Sequence, residues 1–594
     1  MSPIALRPLA ACCFIFISSA AFGAEQAIVV TATRTAEIAD ESLAPVIVID
    51  RAQIEQSQAT DVVELLRGHA GLDIARNGGP GQAASLFMRG TDSNHVLVMV
   101  DGVKINPGTI GGAALQNIDP DLIERIEIVK GPRSALYGSE AVGGVINIIT
   151  RRATTGLDSN AYAGAGRYET RKAGIGLHKG GDVYRAGIDI GYTDTAGYPS
   201  RTTSDIASAY DNLSLNLYGG KTFGGTHVEL SHWQAGGTTD YLDFFLAPVS
   251  QDYANRTTAL SIDSTLRDNW TTTLRLSQAV DNIDQNQSSD YAHTRRDALD
   301  WQNDLQLTTA QLLTAGLYFS MEHTASSVFG SGFTDNTKVK AVFAQDDISL
   351  GQHRLLLAAR YTDHDAFGGR AIWDAEYGYH LSKHTRFSAG IGTAYRAPDA
   401  TDRFGFGGDP NLNPETSRNI ELGLHHHFSA QQSLSMSVFD NRIKDLIEYD
   451  LATSKLMNIG RARIRGIEAS YDVQARPWGA HIEAIAQDPH DETNDEPLAR
   501  RARSTLTASL FYDTGRYRVG TDWLATTKRK DSPFSSIYNA GYGLVNLTAL
   551  TRLNKQWTLQ GRVENLTDKN YTLADGYNTA GRSLYVELRY GHKS

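Results

Sequence analysis

The tripeptide His425-His426-His427 contains the residue type that most often binds transition metals in proteins. Imidazole nitrogens are common ligands of zinc, copper and iron. Neighbouring residues of a β-strand, however, point to opposite faces, so three consecutive rings in a strand cannot all converge on one ion. The sequence therefore disfavours a site built from all three histidines.

Other catalytic arrangements are hard to assemble from the sequence. Both cysteines, Cys12 and Cys13, lie in an apolar N-terminal segment, so thiol chemistry is not expected in the exported chain. The glycines Gly78, Gly79 and Gly81 suggest a turn, because a phosphate-binding loop needs a lysine and a following helix that are not evident. No set of nucleophile, base and orienting residue emerges from the linear order. We do not expect an enzyme.

Residues 1–24 have the pattern of an export signal. Arg7 supplies the positive charge, an apolar stretch runs from Leu9 to Phe22, and the small residues Gly23 and Ala24 end it. We predict cleavage near Ala24.

Composition narrows the class of protein. The 594 residues include 55 Gly and 26 Tyr and are only 21% charged, which disfavours a helix-rich protein. The net charge of −11 disfavours nucleic acid as a partner, because phosphate backbones select an excess of Lys and Arg. A mean hydropathy of −0.32 disfavours membrane-spanning helices.

The pattern of apolar and polar residues changes near residue 153. Residues 27–152 are typical of a small α/β unit, with an amphipathic helix predicted at 61–67 and strand-like runs at 96–100, 126–129 and 145–149. From residue 153 onward, short segments alternate apolar and polar residues, as in Leu213 to Tyr218. Alternation fits a soluble β-sandwich and also an outer-membrane barrel, whose apolar face meets lipid.

Length favours the barrel. A transmembrane strand with its connection uses roughly 20 residues, so residues 153–590 accommodate about 22 strands. A barrel of that size has a lumen wide enough to need a plug. We therefore predict an all-β transmembrane barrel of about 22 antiparallel strands enclosing an N-terminal α/β plug domain. The predicted divisions are a signal peptide (1–24), an N-terminal segment (25–36), the plug (37–152) and the barrel (153–594).

Specific motifs then point to a known family. KGPRSALYGSEAVGGVINIITRR from Lys130 to Arg152, FMRG ending at Gly90 and HVLVMVDGV ending at Val103 resemble the plug of TonB-dependent outer-membrane receptors. RVENLTDKNY from Arg562 to Tyr571 resembles the last hairpin of their barrel. The resemblance implies a monomeric outer-membrane receptor that is surrounded by lipid and lipopolysaccharide and energised by TonB with its inner-membrane complex.

The segment Ile28-Val29-Val30-Thr31-Ala32 is similar to the family's TonB box. An extended, β-prone peptide can add a strand to the edge of a partner's sheet, which is a physical route to an energised partner. Without the plug motifs behind it, the same string would be read as an ordinary edge strand.

Within the family, the sequence most resembles the cobalamin transporters. The resemblance rests on residues 77–103, YRAPDATDRFGFGGDPNLNPETS from Tyr395 to Ser417, PLARRAR from Pro497 to Arg503 and GYNTAGR from Gly576 to Arg582. It implies active uptake of cobalamin and related corrinoids, and a periplasmic cobalamin-binding protein as the downstream partner. A ferric siderophore or haem receptor is the nearest alternative, and a passive porin or adhesin is an alternative of a different class.

The same resemblance assigns site residues. The expected cobalamin contacts are Ala83, Ser85, Asp92, Ile110 and Gly111 in the plug and Arg500 and Phe534 in the barrel loops. Because the family's cobalamin transporters use calcium to order extracellular loops, a structural Ca²⁺ is also expected, held by the carboxylates Asp211, Asp240, Asp243 and Asp252. The pattern departs from the family at Pro199, which stands where a ligating Asp is usual.

Overall fold

The computed structural model describes residues 29–30, 34–35, 37–153, 155–328, 330–450 and 453–593. The predicted export signal lies outside these residues, as do Ile28, Thr31 and Ala32 of the predicted TonB box. Among the described residues, no helix is both long and apolar enough to cross a membrane.

The N-terminal part of the chain forms a small α/β unit around a mixed sheet, as predicted. Asp61 caps the predicted helix, because its side chain accepts the Glu64 N–H, and Gly68 ends it. Val62, Val63, Leu65 and Leu66 of this helix pack into the apolar core. The strands are β1 (Val29–Val30), β2 (Glu37–Ile38), β3 (Val46–Asp50), β4 (Leu72–Arg76), β5 (Ala84–Met88), β6 (Val96–Val100), β7 (Val103–Lys104), β8 (Ile123–Lys130) and β9 (Gly144–Thr150), and the helices are α1 (Arg51–Ser57), α2 (Val62–Arg67) and α3 (Ser134–Tyr137).

Three sheets make up this unit. The main sheet has the strand order β3-β8-β9-β6-β7, in which only β6 and β9 run parallel. Strands β4 and β5 form a separate hairpin, and β1 pairs with β2. Short 3₁₀ helices at Ala39–Glu41, Ser93–His95, Leu115–Asn117 and Pro120–Leu122 connect the elements.

The rest of the chain forms a closed barrel of 22 antiparallel strands around this unit. The predicted strand number is therefore confirmed. The barrel strands are β10 (Gly156–Gly166), β11 (Thr170–Gly180), β12 (Tyr184–Thr195), β13 (Tyr210–Phe223), β14 (Thr226–Leu242), β15 (Pro248–Arg267), β16 (Trp270–Gln285), β17 (Tyr291–Thr308), β18 (Gln311–Val328), β19 (Ser331–Leu350), β20 (His353–His364), β21 (Gly368–Ser382), β22 (Thr385–Arg396), β23 (Glu415–Ser429), β24 (Gln432–Asp450), β25 (Lys455–Ala475), β26 (Trp478–Asp491), β28 (Ser504–Asp513), β29 (Tyr517–Thr526), β32 (Tyr542–Arg552), β33 (Trp557–Glu564) and β34 (Ser583–Lys593).

The loops of the barrel contain smaller elements of secondary structure. The two-residue strand β27 (Glu496–Pro497) extends the pairing of β26, and β30 (Arg529–Lys530) pairs with β31 (Tyr538–Asn539). A short helix, α4 (Ala400–Phe404), lies between β22 and β23.

The alternation along the strands places apolar residues outside. On β13, Leu213 and Leu217 are 48% and 46% exposed, whereas Ser214 and Asn216 are fully buried on the lumen side. A soluble sandwich would show the opposite pattern, because its apolar face forms the core. This inversion is the signature of a lipid-facing barrel.

The two ends of the barrel differ in their connections. Short turns such as 224–225, 309–310 and 430–431 alternate with longer connections, among them 397–414 and 565–582. Outer-membrane barrels have short periplasmic turns and longer extracellular loops. The end with the short turns is therefore the periplasmic end.

Buried ion pairs fasten the plug to the barrel wall. The Arg89 guanidinium lies 3.0 Å from carboxylate oxygens of both Glu421 and Glu468 and donates to the Ser437 hydroxyl at 2.9 Å. Lys130 forms a further ion pair with Glu468, and its ammonium is buried. These ion pairs fasten the plug to the wall, and apolar contacts add to them where Trp233 and Ala235 of β14 join the plug core.

We predict that Arg89→Met loosens the plug while the barrel stays folded. Removing one partner of a buried ion pair leaves uncompensated charge, at a cost of about 3–5 kcal/mol. Hydrogen exchange in the plug strands should accelerate, while the barrel keeps its heat-modifiable migration in gels. Arg516→Met, at an exposed position in a periplasmic turn, is the control and should change neither. Equal exchange in the two variants would contradict the role assigned to Arg89.

Candidate functional site

The plug presents two loops toward the extracellular mouth. Ala83 and Ile110 are exposed, Ile110 by 55%. Both loops also press against the barrel wall. A Cβ added to Gly81, whose φ is +73°, would lie 2.1 Å from the Tyr210 ring, and one added to Gly111 would lie 3.0 Å from Asn94 and Asp399 atoms. These glycines allow the plug backbone to approach the wall closely.

The structure therefore gives the five predicted plug contacts different surroundings. Ala83 and Ile110 are open to the mouth, Ser85 is half-buried in β5, and Gly111 is buried. Their use by a ligand stays a prediction.

Asp92 already has a protein partner. It caps the 3₁₀ helix Ser93–His95, and its Oδ2 lies 3.0 Å from an Arg501 nitrogen. Arg501 also donates to the Gly90 carbonyl at 3.2 Å and stacks over the Phe87 ring at 4.5 Å. Burial alone would raise the pKa of Asp92. The Arg501 guanidinium, His95 and the Ser93 N–H together stabilise the carboxylate more strongly, so the pKa of Asp92 is lowered. This carboxylate docks the loop 492–503 onto the plug.

Arg500, the predicted contact, lies beside Arg501 but points elsewhere. Its φ is +66°, and its side chain donates to the Asp531 carbonyl at 3.1 Å. Arg500 thereby links the loop 492–503 to the loop 527–541. Sequence reasoning missed Arg501, and the only available signal was the run of arginines in PLARRAR.

Large apolar side chains surround the mouth. Phe534, the predicted aromatic contact, is 48% exposed and meets Tyr449 edge to face, with ring centroids 5.8 Å apart. Phe244, Phe245 and Phe406 are even more exposed, at 83%, 80% and 73%. In the connections at this end of the barrel, acidic residues outnumber basic ones. The mouth thus offers apolar and aromatic surface without an excess of positive charge.

A buried polar network lies beneath the loop 397–414. Glu415 forms an ion pair with His95 of the plug and accepts from Arg396 at 2.9 Å. Arg396 in turn donates to Asp402 of α4 at 2.8 Å. The network connects the plug segment beside Asp92 with an extracellular loop, and it was not anticipated from the sequence.

The four candidate calcium ligands are distributed over neighbouring strands and a loop. Asp211 and Asp252 both accept hydrogen bonds from Thr238, at 3.3 and 2.8 Å. Asp243 instead accepts two backbone N–H groups of its own loop. Within the described residues, no three of these carboxylates lie within 4.8 Å of one another. Calcium binding there stays a prediction.

The segment behind the predicted TonB box is anchored at the opposite end of the plug. β1 pairs with β2, so that Val29 lies opposite Ile38. The Arg34 guanidinium is 2.9 Å from Asp300 of β17, donates to the Leu136 carbonyl of α3 at 2.9 Å and stacks over the Phe343 ring. Arg34 thus contacts the plug and the barrel together, which sequence reasoning did not foresee.

The fold is that of an outer-membrane receptor. A closed, lipid-facing barrel surrounds a plug, loops lie at the outer mouth, and an anchored segment lies at the inner end. The model of the family "TonB dependent receptor-like, beta-barrel" matches residues 161–566, and that of the "TonB-dependent Receptor Plug Domain" matches residues 39–145. The chain belongs to the TonB-dependent receptor family, and its place is the Gram-negative outer membrane.

Solved structures share the fold at low sequence identity. The ferric enterobactin receptor PfeA from Pseudomonas aeruginosa is 17% identical, with a TM-score of 0.81 over 92% of this chain and 98% of that one. The siderophore receptor PirA from Acinetobacter baumannii is 18% identical, with a TM-score of 0.79 over 92% and 98%. The FrpB iron transporter from Neisseria meningitidis is 16% identical, with a TM-score of 0.81 over 92% and 99%. These similarities show the fold alone.

We predict that Arg501→Leu releases the loop 492–503 from the plug. The change leaves Asp92 without its guanidinium partner, so the pKa of Asp92 rises. In the wild type, the pKa of Asp92 is lowered, so the carboxylate is ionised and pairs with Arg501 at neutral pH. This contact is lost only when the pH falls through that pKa, which lies below the usual aspartate range. Hydrogen exchange in the loop should therefore accelerate in the variant at neutral pH, and in the wild type only in acid.

Arg503→Leu is the matched control for this change. It lies in the same loop, but its side chain is 59% exposed and pairs with Asp488 of β26. Exchange in the loop should stay at the wild-type rate. Acceleration by both variants would mean that general loss of charge, and not the contact with Asp92, controls the loop.

Proposed function

We propose that this receptor takes up cobalamin and related corrinoids by TonB-dependent transport. The main support is the character of the mouth, where exposed aromatic side chains lie on loops without an excess of positive charge. A corrinoid is a large ligand with an amide-rich periphery and extended apolar faces. Such ligands are held by apolar contact over most of their surface and oriented by a few hydrogen bonds.

The plug loops supply complementary groups. Ile110 and Ala83 offer small apolar surfaces at the plug apex, and the half-buried Ser85 hydroxyl can donate or accept a hydrogen bond. Arg500 and Phe534 contribute from the loops 492–503 and 527–541, which the hydrogen bond from Arg500 to the Asp531 carbonyl links. We keep calcium in the proposal as an aid to loop order through Asp211, Asp240, Asp243 and Asp252.

A ferric siderophore is the competing cargo, since the structures described above are named as receptors of siderophores or iron. Anionic iron chelates favour clusters of arginine or lysine. Several loop cations here are already paired with protein, such as Arg501 with Asp92 and Lys530 with Glu496. The charge at the mouth thus favours a ligand without strong negative charge.

The transport step follows from the periplasmic anchor. Ligand binding at the plug apex shifts the plug, the Arg34 contacts break, and the segment 28–32 becomes available to TonB. TonB adds this segment to its own sheet as a strand and pulls. No covalent bond of the ligand changes in this process.

Equilibrium binding of cyanocobalamin to the detergent-solubilised protein tests the cargo. We expect saturable binding that neither haem nor a ferric siderophore displaces, and tighter binding with calcium present. Ile110→Asp should weaken binding by about 10-fold or more, because it removes apolar burial of roughly 1.5–3 kcal/mol from the contact. Leu553→Asp makes the same chemical change at a 53% exposed position in a periplasmic turn and should bind normally.

If the folded barrel does not bind cobalamin but binds a ferric siderophore saturably, the protein functions in iron uptake and not in cobalamin uptake. Binding of neither would exclude both cargoes while leaving family membership intact. An Ile110→Asp variant that binds as tightly as the Leu553→Asp control would place the ligand away from the plug apex.

A further inference from the structure

Two histidines of β23 face each other near the periplasmic turn 430–431. The Nε2 atoms of His425 and His427 lie 2.9 Å apart, and the ring planes are inclined by 80°. His426 lies on the other face, where its Nδ1 is 2.8 Å from the Thr385 hydroxyl. The alternation of the strand therefore separates His426 from its neighbours, as the sequence predicts, but it also brings those two neighbours together.

A carboxylate from the plug completes the group. Asp40, in the 3₁₀ helix Ala39–Glu41, has its Oδ2 atom 3.7 Å from His427 Nε2. One ligand atom from each of Asp40, His425 and His427 lies within 4.8 Å of the others. Two imidazoles and one carboxylate form a donor set suited to zinc, with a fourth position left for water.

The surroundings favour the metal-binding form of His425. Its Nδ1 lies 2.7 Å from the Ser435 hydroxyl. A ligating imidazole donates its other N–H to such a partner, which leaves the Nε2 lone pair for the ion. Arg386, opposite His425 in the register, directs its guanidinium to the Asp40 and Ser42 carbonyls at 2.6 and 2.7 Å.

We propose that Asp40, His425 and His427 bind a divalent transition-metal ion of the zinc class. The site joins the barrel wall to the first segment of the plug, residues 37–41, which follows the predicted TonB box. Arg354 already holds this segment by pairing with Glu37 of β2 at 2.9 Å. A bound ion adds a link at the same place and slows separation of β1 from β2, a consequence that rests on the TonB coupling proposed above.

Zinc titration of protein without a polyhistidine tag tests the site. His425→Ala and His427→Ala should each abolish the tight binding event, and Asp40→Asn should weaken it. Ser435→Ala should weaken it by about 10–100-fold, as expected for a partner that orients a ligand. His426→Ala is the matched control, because it removes an imidazole from the same tripeptide on the opposite face, and it should bind as the wild type does.

A second histidine group makes a further control necessary. His69, His481 and Glu483 also lie within 4.8 Å of one another at the plug–barrel interface. His69→Ala should leave the tight event unchanged. Cobalt absorption should report histidine ligation in the wild type and in His426→Ala, but not in His427→Ala. Loss of binding in His69→Ala or His426→Ala with retention in His427→Ala would overturn the proposal.

A different observation concerns the outer surface. Arg418 of β23, Arg442 of β24 and Arg463 of β25 are successive cross-strand partners, so three arginines stand in one row. Lys444 and Arg461 form the next row toward the extracellular side. Like charges directly opposite each other destabilise a sheet unless an anion lies between them.

This basic patch borders the lipid-facing band. Two to four residues away on the same strands and the same face, Ile420, Val438 and Ile467 are 47%, 50% and 44% exposed. The row therefore lies where apolar surface gives way to polar surface at the extracellular side, the level of lipid headgroups. Asp440 pairs with Arg442 and Arg463 and neutralises part of the charge.

We infer that this row binds phosphate groups of lipopolysaccharide in the outer leaflet. Guanidinium groups suit phosphate because they donate paired N–H groups. The triple variant Arg418→Gln, Arg442→Gln, Arg463→Gln should copurify with less lipopolysaccharide per chain, measured by native mass spectrometry and phosphate assay.

The control is a triple variant at the periplasmic end, Arg516→Gln, Arg552→Gln, Lys555→Gln, which removes the same charge. It should retain wild-type lipopolysaccharide. An equal loss in the two triple variants would show that net charge alone is responsible, and an unchanged content in the outer-surface variant would also overturn the proposal.

Discussion

The hydrogen-bonded seam between β10 and β34 is the contact on which the rest of this structure depends. It runs from Asp158 opposite Lys593 to Gly166 opposite Tyr585. In the hydrocarbon region, an unpaired strand edge has no water to satisfy its N–H and C=O groups, so the sheet must close. Closure with 22 strands leaves a lumen that side chains alone cannot fill. The plug is the consequence, because an open lumen of that width would pass solutes freely.

The polarity of the lumen wall then determines how the plug is held. Since apolar residues face the lipid, the wall offers carboxylates, amides and hydroxyls, and the plug meets them with Arg89, Lys130 and Arg133. Ion pairs of this kind are strong in a dry interface but weak in water. Pulling that admits water can therefore weaken these ion pairs one after another.

Sequence reasoning succeeded where periodicity or a motif carries the information. Alternation at Leu213 to Leu217 predicted a strand with one apolar and one polar face, and length then favoured the barrel and predicted the number of strands. It failed where the answer depends on contacts between distant segments. Arg500 and Arg501 are adjacent, but the backbone at Arg500 is left-handed, and of the two it is Arg501 that reaches Asp92 of the plug. The pairing of Asp92 with Arg501, about four hundred residues away in the sequence, could not be foreseen for the same reason.

The same long-range geometry links the two ends of the receptor. At the outer end, His95 of the plug pairs with Glu415, and β6 begins directly after it. β6 runs parallel to β9 in the main sheet, and α3 lies between β8 and β9 in the chain. At the inner end, the Leu136 carbonyl of α3 and the Asp300 carboxylate of the barrel share the Arg34 guanidinium. A hydrogen bond weakens severely once its atoms separate beyond about 3.5 Å. Because one partner of Arg34 belongs to the plug and the other to the barrel, a shift of the plug as a rigid body by an ångström or so cannot preserve both contacts. In the transport mechanism proposed above, this is how movement that starts at the mouth releases the segment at the periplasmic end.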